Sequence, residues 1–198
     1  MPRVWYVSYG SNLNATRFAC YLRGGTPDGG TRRYPGCRDT TLPAESRPLW
    51  LDGGVYFAGH SPTWSGGMAF YDPDTPGPSP ARGHLITVEQ FADVCAQEMR
   101  RDPGTTDIDL AVLCRNGRLA LGPGRYETLL HLGSLDGTPM VTFTAPAPVR
   151  PLNRPSPAYL ATIAAGLRET FGWTATQAAA HLAGLVERSA VVPAASGE

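Results

Sequence analysis

Glycine and proline set the terms on which this chain can fold. The 198 residues include 23 Gly and 19 Pro, both above ordinary usage, and such a load cuts a chain into short elements joined by turns and long connections. Short β-strands fit between these punctuation marks in the middle of the sequence. Uninterrupted helical runs have room mainly towards the two ends.

Residues 4–9 (VWYVSY) are β-branched and aromatic and stop at Gly10, so they read as a buried strand. Residues 13–22 read as a helix, with Leu13, Phe18 or Arg17, and Tyr21 or Leu22 near helical spacing and Gly24-Gly25 as its stop. Residues 26–48 have weak periodicity and read as a long surface loop with room for a short strand; loops of that length are usually functional or mobile. Short strands are expected at 53–59, 67–71 and 83–86, with the Pro/Gly segment 72–80 as a loop. Thr87-Val88-Glu89-Gln90 fits the capping box, in which the Thr hydroxyl and the Gln side chain satisfy orphan backbone N–H groups. A helix should follow to about Arg100, stopped by Pro103-Gly104. Segments 108–113, 118–121, 126–133 and 139–143 read as strands. After the Pro-rich link 145–157, helices are expected at 158–171 and 174–187. Residues 1–190 are read as one domain and 191–198 as a flexible tail. Strands gathered in the middle with helices at the ends point to an α+β fold, not a doubly wound one.

The composition excludes several functions. Apolar residues make up 42% and charged residues 17%, which is globular, and the formal net charge is zero. With no basic run either, there is no electrostatic case for a nucleic acid or an anionic membrane as partner. All 17 cations are Arg, so Schiff-base chemistry, a lysine base and a GK[ST] phosphate loop are ruled out. Cys20, Cys37, Cys95 and Cys114 form no CxxC pair, and His60, His84, His131 and His181 lack metal-binding spacing, so no metal is expected. No signal segment follows Met1 and no apolar stretch approaches a membrane span, so a cytoplasmic protein with free thiols is expected.

One carboxylate stands out. On the Thr87-capped helix, Val88, Phe91 and Cys95 make an apolar stripe widened by Ala92 and Met99, and Glu98 continues it. A carboxylate on the core side is desolvated, which raises its pKa, as a general base working near neutral pH requires. The alternative from periodicity alone is that this last-turn residue fans out to solvent or pairs with Arg100 or Arg101.

Five short motifs occur in order over residues 4–170. Tyr9-Gly10-Ser11-Asn12-Leu13 after the first strand resembles the YGSN signature of the gamma-glutamylcyclotransferase-like family. Thr63-Trp64-Ser65-Gly66-Gly67 resembles its TW-x-GG segment, and Arg82-Gly83 with the Thr87 helix its central β–α step. Gly124-Arg125-Tyr126 and Pro155-Ser156-Pro157-Ala158-Tyr159 are similar to its Gly-x-Tyr and PSP-x-Tyr elements. The segment 101–122 looks inserted, and the 26–48 loop has no counterpart in that pattern. The resemblance implies a mixed sheet or small barrel with peripheral helices. It also implies release of 5-oxoproline from a small-molecule γ-glutamyl amide, with no cofactor, and places the catalytic glutamate at Glu98. Substrate contacts would come from Tyr6, Val7, Ser8, Tyr9, Gly10, Ser11 and Asn12, with Tyr159 and, less directly, Tyr126. A hydrolase using Glu98 to activate water, or a binding protein of the same fold, are the competing readings; oligomeric state is left open.

The remaining candidates read as structural. Ser11 lacks the G-x-S-x-G context of a nucleophile. Cys20 reads as a core thiol, Cys37 as a loop residue, and Trp5 and Tyr6 as core. Trp64 and Tyr126 fit packing and site equally well, and Arg32-Arg33 reads as a solvated loop patch.

Overall fold

A computed structural model describes residues 1–190, so the tail expected at 191–198 lies outside the described residues. The aromatic and β-branched run near the N-terminus forms β1 (Arg3–Ser8), buried on both faces from Val4 onward. Such a strand belongs inside a sheet. β1 pairs antiparallel with β5 (Ser79–Thr87) on one side and parallel with β8 (Thr138–Thr144) on the other. β2 (Glu45–Leu51) joins the far side of β5, while β7 (Thr128–Leu135) and β6 (Arg118–Ala120) continue beyond β8. The resulting sheet has the order β2-β5-β1-β8-β7-β6, and β3 (Gly54–Ser61) with β4 (Gly66–Asp72) makes a separate hairpin.

Five α-helices complete the described residues: α1 (Ala15–Arg23), α2 (Val88–Glu98), α3 (Leu110–Asn116), α4 (Pro157–Phe171) and α5 (Ala175–Ala190). The class is α+β, as expected. The sheet does not close into a barrel. Where the β3–β4 hairpin meets β8, Thr144 Oγ1 accepts from the Tyr71 N–H at 3.2 Å and donates to the Tyr71 carbonyl at 2.6 Å. A side chain bridges the strands there in place of a main-chain ladder. The edge strand β6 is only three residues long.

Two elements differ from the sequence reading. The segment 108–113 is not a strand. Asp109 accepts from the Val112 N–H at 2.9 Å as an N-cap, and Gly117 closes the helix in the left-handed conformation, so capping chemistry makes α3 there. β5 begins at Ser79 inside the expected 72–80 loop, while β2 begins where the 26–48 loop left room for a short strand. β2 tolerates Pro48 because it is an edge strand.

The capping box of α2 forms as the sequence indicates: Gln90 N–H donates to Thr87 Oγ1 and Thr87 N–H to Gln90 Oε1, both at 3.1 Å. The same Gln90 amide, 2% exposed, also donates to the carbonyls of Asp39 and Thr41 at 3.1 and 2.9 Å. One side chain therefore caps a helix and pins the 26–48 loop to it. Gln90→Ala is expected to destabilise the fold by roughly 2 kcal/mol, from a lost cap and stranded buried carbonyls. A denaturant titration should show a lower midpoint at unchanged slope; an unmoved midpoint would refute this role.

The core lies on both faces of the sheet. On one face Tyr6, Phe18, Phe91 and Phe143 pack together, with the Tyr6 and Phe143 ring centroids 5.3 Å apart. On the other, Tyr9, Leu13, Phe57, Tyr159 and Leu167 pack under α4 and α5.

Candidate active site

α2 ends at Glu98 because Arg100 turns to a positive φ of 59°. Phe91, Val94 and Cys95 are buried on the helix, and Glu98 follows on the same face. Its carboxylate accepts a hydrogen bond from Tyr21 Oη of α1. Glu98 keeps partial exposure, yet burial pushes its pKa above the ordinary carboxylate value. The Tyr21 hydrogen bond and the charges of Arg17, Arg32 and Arg125 oppose that rise without cancelling it. The two observations agree if the carboxylate is the floor of a cleft, open in one direction and enclosed in the others.

Two cavities meet there. A larger one of about 450 Å³ runs past Arg17, Arg32 and Trp64, and a smaller one of about 280 Å³ runs past Tyr6, Tyr9, Gly10 and Asn12. Ser11, Glu98, Tyr126 and Tyr159 line both.

The wall of the smaller cavity is the turn after β1. Ser11–Leu13 forms a single 3₁₀ turn, and no side chain caps its start at Gly10. The first N–H groups of such a turn have no partner within it. A Cβ on Gly10 would stand 3.2 Å from both the Ala69 Cβ and the Tyr159 hydroxyl, so glycine permits the close approach of this turn to β4 and α4.

Tyr159 is placed by its own motif. Ser156 is the N-cap of α4, accepting from the Tyr159 N–H at 3.3 Å, and Pro157 occupies the first helical turn. The Thr63–Gly67 motif supports this segment from below. The Gly67 N–H donates to the Arg154 carbonyl at 2.8 Å, and a Cβ on Gly67 would lie 2.0 Å from the Asn153 carbonyl oxygen. Two motifs far apart in sequence are thus one packing unit.

Tyr159 and Tyr126 grip the same residue of β4, Ala69, one at its N–H and the other at its carbonyl. Tyr159 Oη accepts from the Ala69 N–H at 3.3 Å, and Tyr126 Oη donates to the Ala69 carbonyl at 2.9 Å. The Tyr159 proton is left available to the cleft. Burial, reinforced by the nearby Glu98 charge, pushes the Tyr159 pKa up to about 12, so it stays a neutral donor.

Not every expected contact lies at the cleft. Tyr6, Tyr9, Gly10, Ser11, Asn12, Tyr126 and Tyr159 line it, as does Glu98. Val7 and Ser8 do not. Val7 is fully buried with its carbonyl bonded by Thr142 at 2.7 Å, and the Ser8 hydroxyl donates to the Arg82 carbonyl at 3.3 Å. Both are held within the sheet, because a strand sends alternate side chains to opposite faces and β1 is covered on each. Ser11 is bonded by no histidine: His84, buried, is engaged by Ser46 Oγ and the Asn12 carbonyl, each at 2.9 Å.

Other cleft residues escaped the sequence reading. Arg17 is 4% exposed, with its guanidinium carbon 4.4 Å from the ring centroids of both Tyr21 and Tyr34. Arg32, read as solvated, stands 4.8 Å over the Tyr34 ring and lines the larger cavity. Cys37 is likewise more than a loop residue: it is buried, and its Sγ donates to the Tyr21 carbonyl at 3.3 Å. The loop 26–48 is therefore one wall of the site.

No protein-family model matches the chain. Histone deacetylase 5 of Arabidopsis thaliana is 31% identical over 188 residues, a match covering 84% of this chain but 28% of that protein. The chain thus spans well under half the length of the curated relative it matches. Among solved structures, the uncharacterized protein loc79017 from Homo sapiens is similar over 100% of this chain and 93% of its own, at 16% identity and a TM-score of 0.47. A gamma-glutamyl cyclotransferase is similar over 99% and 92%, at 17% identity and a TM-score of 0.45. Among the described residues, no helix is long and apolar enough to cross a membrane.

Proposed function

We propose that this chain cleaves a small-molecule γ-glutamyl amide by intramolecular aminolysis. The observation that carries the proposal is a desolvated Glu98 carboxylate at the meeting point of two cavities, one of them walled by the uncapped turn at Gly10–Asn12. The ordered motifs from Tyr9 to Tyr159 support the same reading.

In this mechanism the γ-glutamyl group occupies the smaller cavity. Glu98 takes a proton from the substrate's α-ammonium, and the freed amine attacks its own γ-carbonyl carbon. A C–N bond forms, closing a five-membered ring, and the amide C–N bond breaks. Glu98 returns that proton to the departing nitrogen and takes the extra proton left on the ring nitrogen. This second proton leaves with the amine as its ammonium, so 5-oxoproline and the amine depart without consuming water and Glu98 ends as the free carboxylate. The nucleophile belongs to the substrate, so holding the chain in its cyclising conformation supplies much of the acceleration. The backbone N–H groups of the 10–12 turn, with Tyr159 as neutral donor, hold the substrate's carboxylate or its developing oxyanion.

The test is a product assay on purified protein with a panel of γ-glutamyl amines and dipeptides, followed by mass spectrometry. The proposal requires 5-oxoproline. Free glutamate would replace cyclisation with water attack, and a ligand that binds unchanged would make the chain a binding protein.

A further inference from the structure

The larger cavity carries more positive charge than the γ-glutamyl group can use. Arg17, Arg32, Arg100 and Arg125 line it, against the single carboxylate of Glu98. In the reading above, the γ-glutamyl group, with its ammonium and its α-carboxylate, occupies the smaller cavity and is served by Glu98, the 10–12 turn and Tyr159. The arginines are left without an assigned anion. The ion pairs among the described residues involve Arg38, Arg47 and Arg82 instead.

Arg17 is the informative member. It is buried, and only its Nη2 is bonded, to Tyr34 Oη at 2.8 Å. Its Nε and Nη1 are buried with no hydrogen-bond partner. The rings of Tyr21 and Tyr34 at 4.4 Å, and of Trp64 at 5.9 Å, fix the plane of the guanidinium. A desolvated guanidinium with open N–H groups is an unfavourable state until an oxyanion completes it, and its planar fork matches such an anion with two parallel hydrogen bonds. Arg32 shares the Tyr34 ring with it, and the Arg125 chain reaches Met68 Sδ at 3.4 Å across the same cavity.

We infer that Arg17 anchors an oxyanion subsite for the leaving amine, and that the amine released is an acidic one carrying more than one anionic group. Resting on the γ-glutamyl reading, this names the substrate class. One oxyanion is held at depth by Arg17, whose Nε and Nη1 are each left without a partner, and the second meets Arg32 and Arg125 nearer the mouth.

The experiment compares γ-glutamyl methylamide, γ-glutamylglycine and γ-glutamylaspartate, whose leaving amines carry zero, one and two carboxylates. The expected kcat/KM rises along that series, by about 10-fold to 100-fold from the first member to the last, with the difference shrinking at high salt. Arg17→Met should erase the preference for aspartate over methylamide, while Arg32→Ala should narrow the gap between aspartate and glycine. Direct binding of free aspartate and glycine, by calorimetry, needs no turnover. Tighter binding of aspartate by the wild type, lost in Arg17→Met, would uphold the subsite even if no 5-oxoproline is ever formed. Equal rates across the series, or aspartate binding unchanged in both variants, would overturn it.

Discussion

Glu98→Gln is expected to lower kcat/KM for 5-oxoproline release by about 10²–10⁴-fold, the range of a positioned general base, in a protein that remains folded. Gln is isosteric, and its Oε1 can still accept from Tyr21 Oη, so the change removes proton transfer and leaves the packing. The wild type should show kcat/KM rising with pH along a limb centred above the usual carboxylate range, because the ionised form is the base and burial raises the pKa of Glu98. That limb should be missing from the variant's residual activity. Stability gives an independent check. A carboxyl whose folded pKa is raised binds its proton more tightly in the folded state. Stability therefore falls as pH climbs from the unfolded to the folded pKa, and above that window the charge is a net burden. At neutral pH the Gln variant should melt no lower than the wild type. Wild-type rates in Glu98→Gln would end the assignment; a marked drop in Tm would recast Glu98 as structural.

That Glu98 was legible at all follows from α2 obeying local rules. Its start is written in Thr87 and Gln90, its buried face in Phe91, Val94 and Cys95, and the carboxylate falls on that face by helical geometry alone. β1 was legible for a similar reason, since its four central residues, Val4 to Val7, are β-branched or aromatic and buried. The walls of the cleft were not. Arg32 and Tyr34 reach it from a loop without periodicity, held by Gln90 and by the Gly25–Tyr34 bridge, contacts that no local pattern encodes. Arg17 left a faint signal: an arginine at apolar spacing on α1, next to Phe18, is either stranded or employed. α3 was misread because its Val and Leu content suggested a strand while the deciding information sat in Asp109 and Gly117 at its ends. Some glycines carried meaning that appears only in three dimensions, where Gly67, Gly77 and Gly166 mark places at which two backbones touch.

Gly166 is such a place, and Gly166→Val is expected to injure stability and catalysis together. A glycine within a helix costs about 1 kcal/mol relative to Ala, so its presence inside α4 needs a reason. A Cβ there would lie 2.5 Å from the Asn14 nitrogen and 2.6 Å from the Leu13 carbonyl carbon. Those atoms are backbone and cannot rotate away, so α4 must lift off the turn that begins at Gly10. Overpacking of this kind costs about 1–3 kcal/mol, more than the helix-propensity gain returns, and for a chain of this size should lower Tm by roughly 2–10 °C. The same displacement carries Tyr159, seven residues earlier on α4, away from Gly10 and from the Ala69 N–H that it now meets at 3.3 Å. A misplacement near 1 Å in such a site can cost about 10²-fold in rate, so kcat should fall well beyond what the unfolded fraction explains. The decisive measurement is kcat at a temperature where the variant is fully folded. A normal kcat with a lowered Tm would mean that α4 yields locally and Tyr159 stays in place. Unchanged values of both would show that α4 does not rest on the 10–14 segment, and the cleft would then need a different wall.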